Sequence, residues 1–317
     1  MAASAQDTRS LKIKKNRLHF KSGRDIPHYL LILPAFALIL VFNYVPIYGI
    51  VMAFQNFSPY LGISGSSFVG FKHFAYFLQD GNFWRVMGNT IIINLYQLIF
   101  GMPVPIIFAL LLNEVRISFF KRSIQTISYL PHFISWVVAA SIFNAVLSPS
   151  SGIVNSILMR FFGLSEPIYF LVKANYFRTI LVGSNIWKTF GMSAVYYLAA
   201  LSAIDPQLYE AAKIDGANRW QQTRHVTLMG IAPIFILLLI LNVGSMITIG
   251  FEQIFLLYNP MVYNVGDVIS TYVYRLGILN TQYSLTTAIG VTQSVVNFAL
   301  VFAANKIARK VVGYSMW

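Results

Sequence analysis

The sequence contains no cysteine, which excludes disulfide bonds, thiolate metal sites and cysteine nucleophiles. Acidic residues are also scarce: 10 Asp and Glu stand against 23 Lys and Arg, and charged residues make up only 10% of the chain. Soluble domains carry about 25% charged residues. Because 57% of the residues are apolar as well, the composition excludes an ordinary soluble protein.

Several motifs that carry chemistry are missing too. The sequence has no Gly-x-x-x-x-Gly-Lys-Ser/Thr, so it offers no phosphate-cradling loop for ATP. It has no His-Glu-x-x-His, no Gly-x-Ser-x-Gly and no clustered metal-ligand spacing, and its five histidines are scattered. We therefore expect no enzyme activity, no metal and no cofactor on this chain.

Long apolar segments are what the sequence does have. A helix needs about 20 apolar residues to cross a bilayer, and closed barrels would instead show alternating strands of about ten residues. The pattern predicts an all-α membrane protein with six transmembrane helices, with bounds uncertain by about four residues. The six segments are 28–54, 86–112, 123–147, 177–203, 231–258 and 283–306.

Basic residues collect in alternate intervals between these segments. The N-terminal tail, the intervals after the second and fourth segments, and the C-terminus hold 16 of the 23 Lys and Arg. The positive-inside rule then predicts a multi-pass protein with both termini and the interval 205–229 in the cytoplasm. The expected organisation is a basic tail at 1–27, a membrane domain at 28–310 and a C-terminal tail at 311–317.

The net charge of +13 could also indicate nucleic acid. Topology and attraction to anionic membrane lipid explain the charge without it, so we expect no nucleic-acid partner. The first 27 residues do not have the form of a cleavable signal peptide, because no small-residue cleavage site follows a short apolar core.

The interval 205–229 predicts two short helices. Asp205 can cap a first helix that begins with Pro206, and Gly216 suits the left-handed backbone that ends such a helix. Asn218 can cap a second helix over 220–226. Ala211 and Ala212 leave a shallow surface, and the carboxylate of Glu210 can pair with an arginine of a partner. A surface hairpin without a partner would have the same local chemistry.

The segment from Tyr209 to Trp220 resembles the Glu-Ala-Ala loop of the membrane subunits of binding-protein-dependent ABC importers. In that family the loop docks into a cleft of the cytoplasmic ATPase. The family pattern ends in Leu-Pro, whereas here Leu228-Met229 is followed by Pro233. The resemblance implies an ATPase-coupling role for Tyr209, Glu210, Ala211, Ala212, Asp215, Gly216, Ala217 and Arg219.

Further segments are similar to the LplB/YteP-type branch of carbohydrate-uptake permeases. They are Asn43–Pro46, Leu198–Leu201, Phe251–Pro260, Thr271–Arg275 and the terminal Trp317. The resemblance implies a type I permease fold in the bacterial cell membrane and a heterodimer with a second, homologous permease. It also implies two cytoplasmic ATPase subunits that hold ATP and Mg²⁺, an extracellular sugar-binding lipoprotein, and an oligosaccharide substrate that is acidic or neutral.

Polar side chains inside the fourth to sixth segments are candidates for the substrate path. A polar group in hydrocarbon is costly, so it faces a cavity or a partner, and sugars suit amides beside aromatic faces. Trp187 and Lys188 form the leading pair. Interhelical hydrogen bonding is the alternative for the amides, and a carboxylate of the partner permease is the alternative for Lys188. The candidates are Asn185, Trp187, Lys188, Tyr196, Tyr197, Asn242, Glu252, Gln253, Gln293 and Asn297.

The sequence thus predicts the permease subunit of an ATP-driven oligosaccharide importer that works by alternating access. Two other functions stay open. One is an ABC permease for another solute, such as a peptide. The other is a secondary transporter driven by an ion gradient, which would need a coupling carboxylate near mid-membrane. Glu252 is the one marginal candidate for that carboxylate.

Overall fold

The computed structural model describes residues 26–248 and 250–313, most of which are helical. The described residues fall into two compact units, which divide between Ile50 and Val51. In chain order the α-helices are α1 Ile26–Ile39, α2 Gly62–Gly65, α3 Lys72–Gln79, α4 Gly81–Gly101, α5 Pro103–Glu114, α6 Ser118–Phe133, α7 Trp136–Val146, α8 Ile153–Phe162, α9 Ala174–Ser202, α10 Pro206–Ile214, α11 Arg219–Gln222, α12 Leu228–Gly244, α13 Phe251–Leu257, α14 Tyr263–Gly266, α15 Ile269–Tyr274 and α16 Tyr283–Val312.

Irregular elements complete the list. Short π- or 3₁₀-helical stretches occupy Leu40–Tyr44, Val45–Phe54, Thr223–Thr227, Pro260–Val262 and Arg275–Leu279. One antiparallel pair of two-residue strands joins β1, Gln55–Asn56, to β2, Ser67–Phe68. The predicted tails lie mostly outside the described residues: 1–25 at the N-terminus and 314–317, including Trp317, at the C-terminus.

The first unit contains α1, which has Pro34 inside it and continues into the π-helical turn Leu40–Tyr44. A proline inside a helix removes one backbone hydrogen bond. Prolines are commoner in membrane helices than in soluble ones.

The second unit is built around α9, which packs against α4, α5, α6 and α12. Its buried side chains recur at helical spacing from Phe177 through Leu181 and Ala194 to Leu201, which produces a continuous packing face. Gly191 lies directly against the backbone of Ser128 in α6, where an added Cβ would overlap the carbonyl. Small residues at such crossings let membrane helices approach closely.

Among the described residues, four helical stretches are long and apolar enough to cross a membrane: Tyr29–Phe54, Gly81–Glu114, Arg219–Gly244 and Tyr283–Lys310. A fifth is possible if α6 and α7, which meet at a bend of 102°, form one span. The predicted fourth segment is the 29-residue helix α9, which is not among the four apolar stretches. The six-span arrangement therefore remains a prediction.

Two predicted single helices are broken instead. The third segment bends between α6 and α7 at residues 134–135, and the fifth is split into α12 and α13 by residues 245–250. Three side-chain amides hold the second break: Asn94 donates to the carbonyl of Met246 at 2.7 Å, Gln293 to that of Ile247 at 3.1 Å, and Asn297 to Thr248 Oγ1 at 2.9 Å. Irregular backbone at membrane depth needs such protein partners.

Candidate functional site

The interval 205–229 begins with the predicted first helix, α10. The second helix, predicted over 220–226, is not separate: α11 continues through the π-helical turn Thr223–Thr227 into α12 as one helical stretch, Arg219–Gly244. The helix pair is therefore α10 and the first turn of that stretch, α11. The carboxylate of Asp205 accepts a hydrogen bond from the backbone N–H of Gln207 at 2.9 Å, with Pro206 at the first turn of α10. α10 ends at Ile214, and Gly216 follows with φ +77°, a left-handed backbone that favours glycine. Asn218 then caps α11 in a reciprocal box with Gln221. Local bonds therefore fix α10 and the start of the longer helix that contains α11 and α12.

The surface of this helix pair is exposed and partly apolar. Ile214 is 87% exposed and Trp220 is 71% exposed. Glu210 and Ala211 are exposed too, and within the described chain Glu210 makes no ion pair. Large apolar side chains at a free surface are typical of a contact site for another protein.

Two contacts tie the helix pair to the bundle. Arg219 pairs with Glu114, at the end of α5, at 3.0 Å, although both side chains are largely exposed. Such a pair contributes about 0–1 kcal/mol. The hydroxyl of Tyr209 lies 3.0 Å from that of Thr227, just before α12. Movement of the pair would thus reach α5 and α12 directly.

A polar groove lies deeper in the bundle between α4, α9 and α12. It consists of two adjoining cavities of about 160 Å³ and about 130 Å³ that share Gln97 and Asn242. Amides and hydroxyls dominate its polar lining, which contains no carboxylate, ammonium or guanidinium among the described residues. The polar groups are those of Asn94, Gln97, Asn185, Thr189, Ser193, Tyr196, Tyr197, Asn242, Ser245 and Thr248.

The groove brings together four of the predicted path residues: Asn185, Tyr196, Tyr197 and Asn242. Asn242 donates to the carbonyl of Leu238 in its own helix at 2.7 Å, which leaves its amide oxygen free to accept from a ligand hydroxyl. This arrangement can bind an uncharged, hydroxyl-rich molecule.

The leading pair from the sequence, Trp187 and Lys188, does not line this groove. Trp187 packs edge-on against Phe143 of α7 at 5.5 Å. Lys188 is buried, and its ammonium donates to the carbonyls of Pro131, His132 and Ile134 at 3.3, 2.8 and 2.5 Å. Its charge thus lies against the partially negative C-terminus of α6 at the α6–α7 bend.

The other predicted path residues serve different contacts. Gln253 is buried and donates to the carbonyl of Leu181 at 2.6 Å and to Ser184 Oγ at 2.9 Å, so it joins α13 to α9. Gln293 and Asn297 hold the break at 245–250. Glu252 is exposed and forms no ion pair with any described residue.

Sequence reasoning missed the contribution of α4. Asn94 and Gln97 lie inside the second apolar segment, one helical turn apart, and both line the groove. The amide nitrogen of Gln97 is buried and has no hydrogen-bond partner among the described residues, which suits a site where a ligand or water satisfies it. Examining polar residues in every apolar segment would have found both.

A charged network lies at the end of the bundle where α9 begins, away from the helix pair at its other end. Asp267 is fully buried and forms a two-point ion pair with Arg275 at 2.9 and 2.6 Å, which raises the pKa of the guanidinium above its usual range. Asn89 of α4 donates to the carbonyl of Asp267 and accepts from Arg178 of α9 at 2.8 Å. These bonds fix the segment 263–279 onto α4 and α9.

Comparisons with known proteins agree on one family. Residues 101–313 match the model of the binding-protein-dependent transport system inner membrane component. The polygalacturonan/rhamnogalacturonan transport system permease protein YteP of Bacillus subtilis (strain 168) is 44% identical over 94% of this chain and 92% of its own length. Protein LplB of the same organism is 43% identical over 90% of each chain.

A solved structure is similar over nearly the whole chain. It is a bacterial alginate ABC transporter in complex with an alginate pentasaccharide-bound periplasmic protein. The matching chain is 41% identical, the match covers 92% of this chain and 97% of the other, and the TM-score is 0.84.

Proposed function

This chain belongs to the family of binding-protein-dependent transport system inner membrane components, and we propose that it is the permease subunit of an ATP-driven oligosaccharide importer. The observation that carries the proposal is the helix pair α10–α11, which presents Glu210, Ile214 and Trp220 at the surface of the described part of the chain. In this role the chain binds no ATP, and partner ATPases supply the hydrolysis.

The substrate class follows from the groove and from the relatives. Two relatives named above are a permease for polygalacturonan and rhamnogalacturonan and a chain of an alginate importer. The groove offers amides and hydroxyls, which match the hydroxyl groups of sugars. An oligosaccharide therefore fits both observations. A secondary transporter would need a coupling carboxylate, and the described lining of the groove has none.

The helix pair acts as the mechanical input in this proposal. Closure of the ATPases pushes on residues 206–226, and the Arg219–Glu114 and Tyr209–Thr227 contacts pass the movement to α5 and α12. The break at 245–250 lets α12 move without α13. The groove between α4, α9 and α12 then opens to one side of the membrane at a time.

Topology and assembly complete the proposal. α9 is about 44 Å long at 1.5 Å per residue, more than the roughly 30 Å of hydrocarbon. With α9 and the bent α6–α7 pair counted, the chain crosses the membrane six times, with residues 205–229 in the cytoplasm. A second permease, two ATPase subunits and an external sugar-binding lipoprotein complete the importer.

Substitutions in the helix pair test the coupling role. Glu210→Ala removes the free carboxylate, and Gly216→Pro is incompatible with φ +77° because proline fixes φ near −65°. We expect both to abolish oligosaccharide uptake and transport-coupled ATP hydrolysis in the purified complex. Glu166→Ala, an exposed acidic residue outside the pair, is the matched control. Wild-type uptake with either helix-pair variant, in a complex that assembles, contradicts the role.

The groove has its own test. Asn242→Leu removes an amide from the groove, whereas Asn144→Leu removes a similarly self-bonded amide from α7, outside it. We expect Asn242→Leu to lower the uptake rate at least fivefold and Asn144→Leu to leave it within twofold. Equal effects of the two changes would mean that the groove does not carry the sugar.

A further inference from the structure

A second cavity suited to a sugar lies at the same end of the bundle as the start of α16, outside the polar groove. Its volume is about 400 Å³, within the usual range for small-molecule sites. α3 contributes Lys72, His73 and Tyr76, and the start of α16 contributes Tyr283. Neither the coupling role nor the groove uses any of these residues.

The cavity has an unpaired cation at its edge. Lys72 is exposed and pairs with no carboxylate in the described part of the chain. His73 lies beside it, with Nε2 3.1 Å from the backbone carbonyl of Gln55. Since a carbonyl only accepts, Nε2 carries the hydrogen, and this bond fixes the orientation of the ring.

Aromatic rings and amides supply the rest of the lining. Tyr76 is 66% exposed, and the ring of Tyr283 stands edge-on to that of Phe57 at 6.1 Å. Asn56 and Gln282 add amide groups. An aromatic side chain presents an apolar body with a polar tip, which suits the partly apolar ring of a sugar and its hydroxyls.

Backbone strain shapes this cavity. Thr281, which lines it, has φ +54°, and it is the one residue other than glycine with a positive φ in the described chain. A β-branched residue in this conformation is an outlier, and such strain clusters at ligand and switch sites. Ser284 and Phe57 also line the cavity, and the Ser284 hydroxyl accepts a hydrogen bond from the backbone N–H of Phe57 at 2.9 Å, which joins the two sides of the lining.

We propose that this cavity binds a uronate unit of an acidic oligosaccharide, with the carboxylate on Lys72 and the sugar ring against Tyr76 and Tyr283. The proposal rests on the proposed function, and it assigns recognition of the acid group to a place outside the groove. The groove has no cation, and Lys188 is occupied by backbone carbonyls. Lys72, in contrast, is free to form a charge-assisted bond.

A docked protein is the competing occupant. A free cation beside two tyrosines inside a recess of sugar size favours the sugar. A protein contact would extend over a wide, flatter surface of roughly 800 Å² on each partner. The test must therefore separate sugar binding from protein binding at this position.

Because this chain has no cysteine of its own, an introduced cysteine is the single thiol on it, and labelling is measured on this chain after the subunits are separated by gel electrophoresis. In the assembled membrane complex without its binding protein, Gln282→Cys is labelled with a maleimide, and the rate is measured with and without a uronate trisaccharide. We expect saturating trisaccharide to slow labelling at least threefold and its carboxyl-reduced counterpart to have a weaker effect. In the Lys72→Gln background, the difference between the two sugars should disappear. Lys173→Cys, an exposed position at the start of α9, should label at an unchanged rate.

Three results overturn the proposal. They are no protection by trisaccharide, equal protection by the acidic and reduced sugars with Lys72 intact, and protection by the sugar-free binding protein alone. Uptake by the Gln282→Cys complex is measured in parallel. If the wild-type complex takes up no oligosaccharide at all, the proposed function is contradicted, whatever the labelling shows.

Discussion

Replacing Lys188 with methionine separates two roles for the one buried ammonium in α9. The side chain donates to three carbonyls at the end of α6 and lies 5.5 Å from the ring centre of Trp136. Methionine keeps a similar volume but removes the charge and every donor. If the ammonium fixes the α6–α7 bend, Lys188→Met should weaken the protein regardless of the sugar that is offered.

The expected loss of stability depends on whether hydrogen-bond energies from soluble proteins or from membrane proteins are used. Hydrogen bonds to charged groups contribute about 1.5–3 kcal/mol each in soluble proteins, which would give more than about 4 kcal/mol for three. Interhelical bonds in a membrane average about 0.6 kcal/mol, because the unfolded chain also finds partners there. The membrane value is appropriate here and gives about 2 kcal/mol. For domains of 150–250 residues, 1 kcal/mol corresponds to about 2–4 °C in the unfolding temperature, and longer chains shift less. In this chain of 317 residues the loss should therefore lower the apparent unfolding temperature by less than about 8 °C.

The assay compares purified complexes at one fixed scan rate, since unfolding of such assemblies is irreversible. Lys173→Met, an exposed lysine at the start of α9, is the control and should shift the midpoint by less than about 0.5 kcal/mol equivalent. Uptake of uronate and neutral oligosaccharides should fall in equal proportion. A wild-type midpoint together with selective loss of uronate uptake would refute the structural role and return Lys188 to the substrate path.

Two other predictions concern packing and pH. Gly191→Ala should destabilise the protein by about 1–3 kcal/mol, because the added methyl group meets the backbone of Ser128. Gly183→Ala on the same helix is the control: its methyl group meets nothing within 4 Å, so the change should be neutral or stabilising. The unfolding midpoints of the two variants are compared. The hydroxyl of Tyr272 donates to Asp80 at 2.6 Å and lowers the pKa of that carboxyl below its ordinary value. The stabilisation from this hydrogen bond is therefore complete above the unfolded pKa and is lost as pH falls through the folded pKa. Wild type should therefore lose more stability than Tyr272→Phe between about pH 5 and pH 3, and parallel pH profiles would contradict the bond.

The ends of α10 and the start of α11 could be predicted from local sequence chemistry alone. Asp205, Pro206, Gly216 and Asn218 act on backbone groups within four residues of themselves, so their effect is visible in the sequence. The coupling role itself stays a prediction, because it depends on a partner.

The breaks in the apolar segments could not be found in this way. Residues 245–248 belong to one apolar run in the sequence, and the amides that bond to their backbone come from α4 and α16. Periodicity measures whether a segment is long and apolar, but it does not show which distant donors permit the helix to stop. The bend after α6 likewise depends on Lys188, more than 50 residues away in sequence.

The sequence also does not show whether a polar side chain in a membrane helix faces a cavity or a neighbouring helix. Asn185 and Lys188 are three residues apart on α9, yet one lines the groove and the other contacts α6. Both are costly in hydrocarbon, so the same rule selected both. Only the positions of the neighbouring helices distinguish a side chain that faces a cavity from one that holds two helices together.

This division of polar groups has a consequence for transport. Among the described residues, three cations inside the bundle and its buried carboxylate are engaged by structural partners: Lys188 by α6, Arg275 by Asp267, and Arg178 by Asn89. The groove is left with neutral amides and hydroxyls, whose hydrogen bonds are about half as strong as charge-assisted ones. Conduction through a membrane requires binding that is favourable enough to enter but weak enough to leave. A groove without charge meets that condition for a many-hydroxyl substrate, because many weak contacts can be exchanged one at a time as the sugar advances.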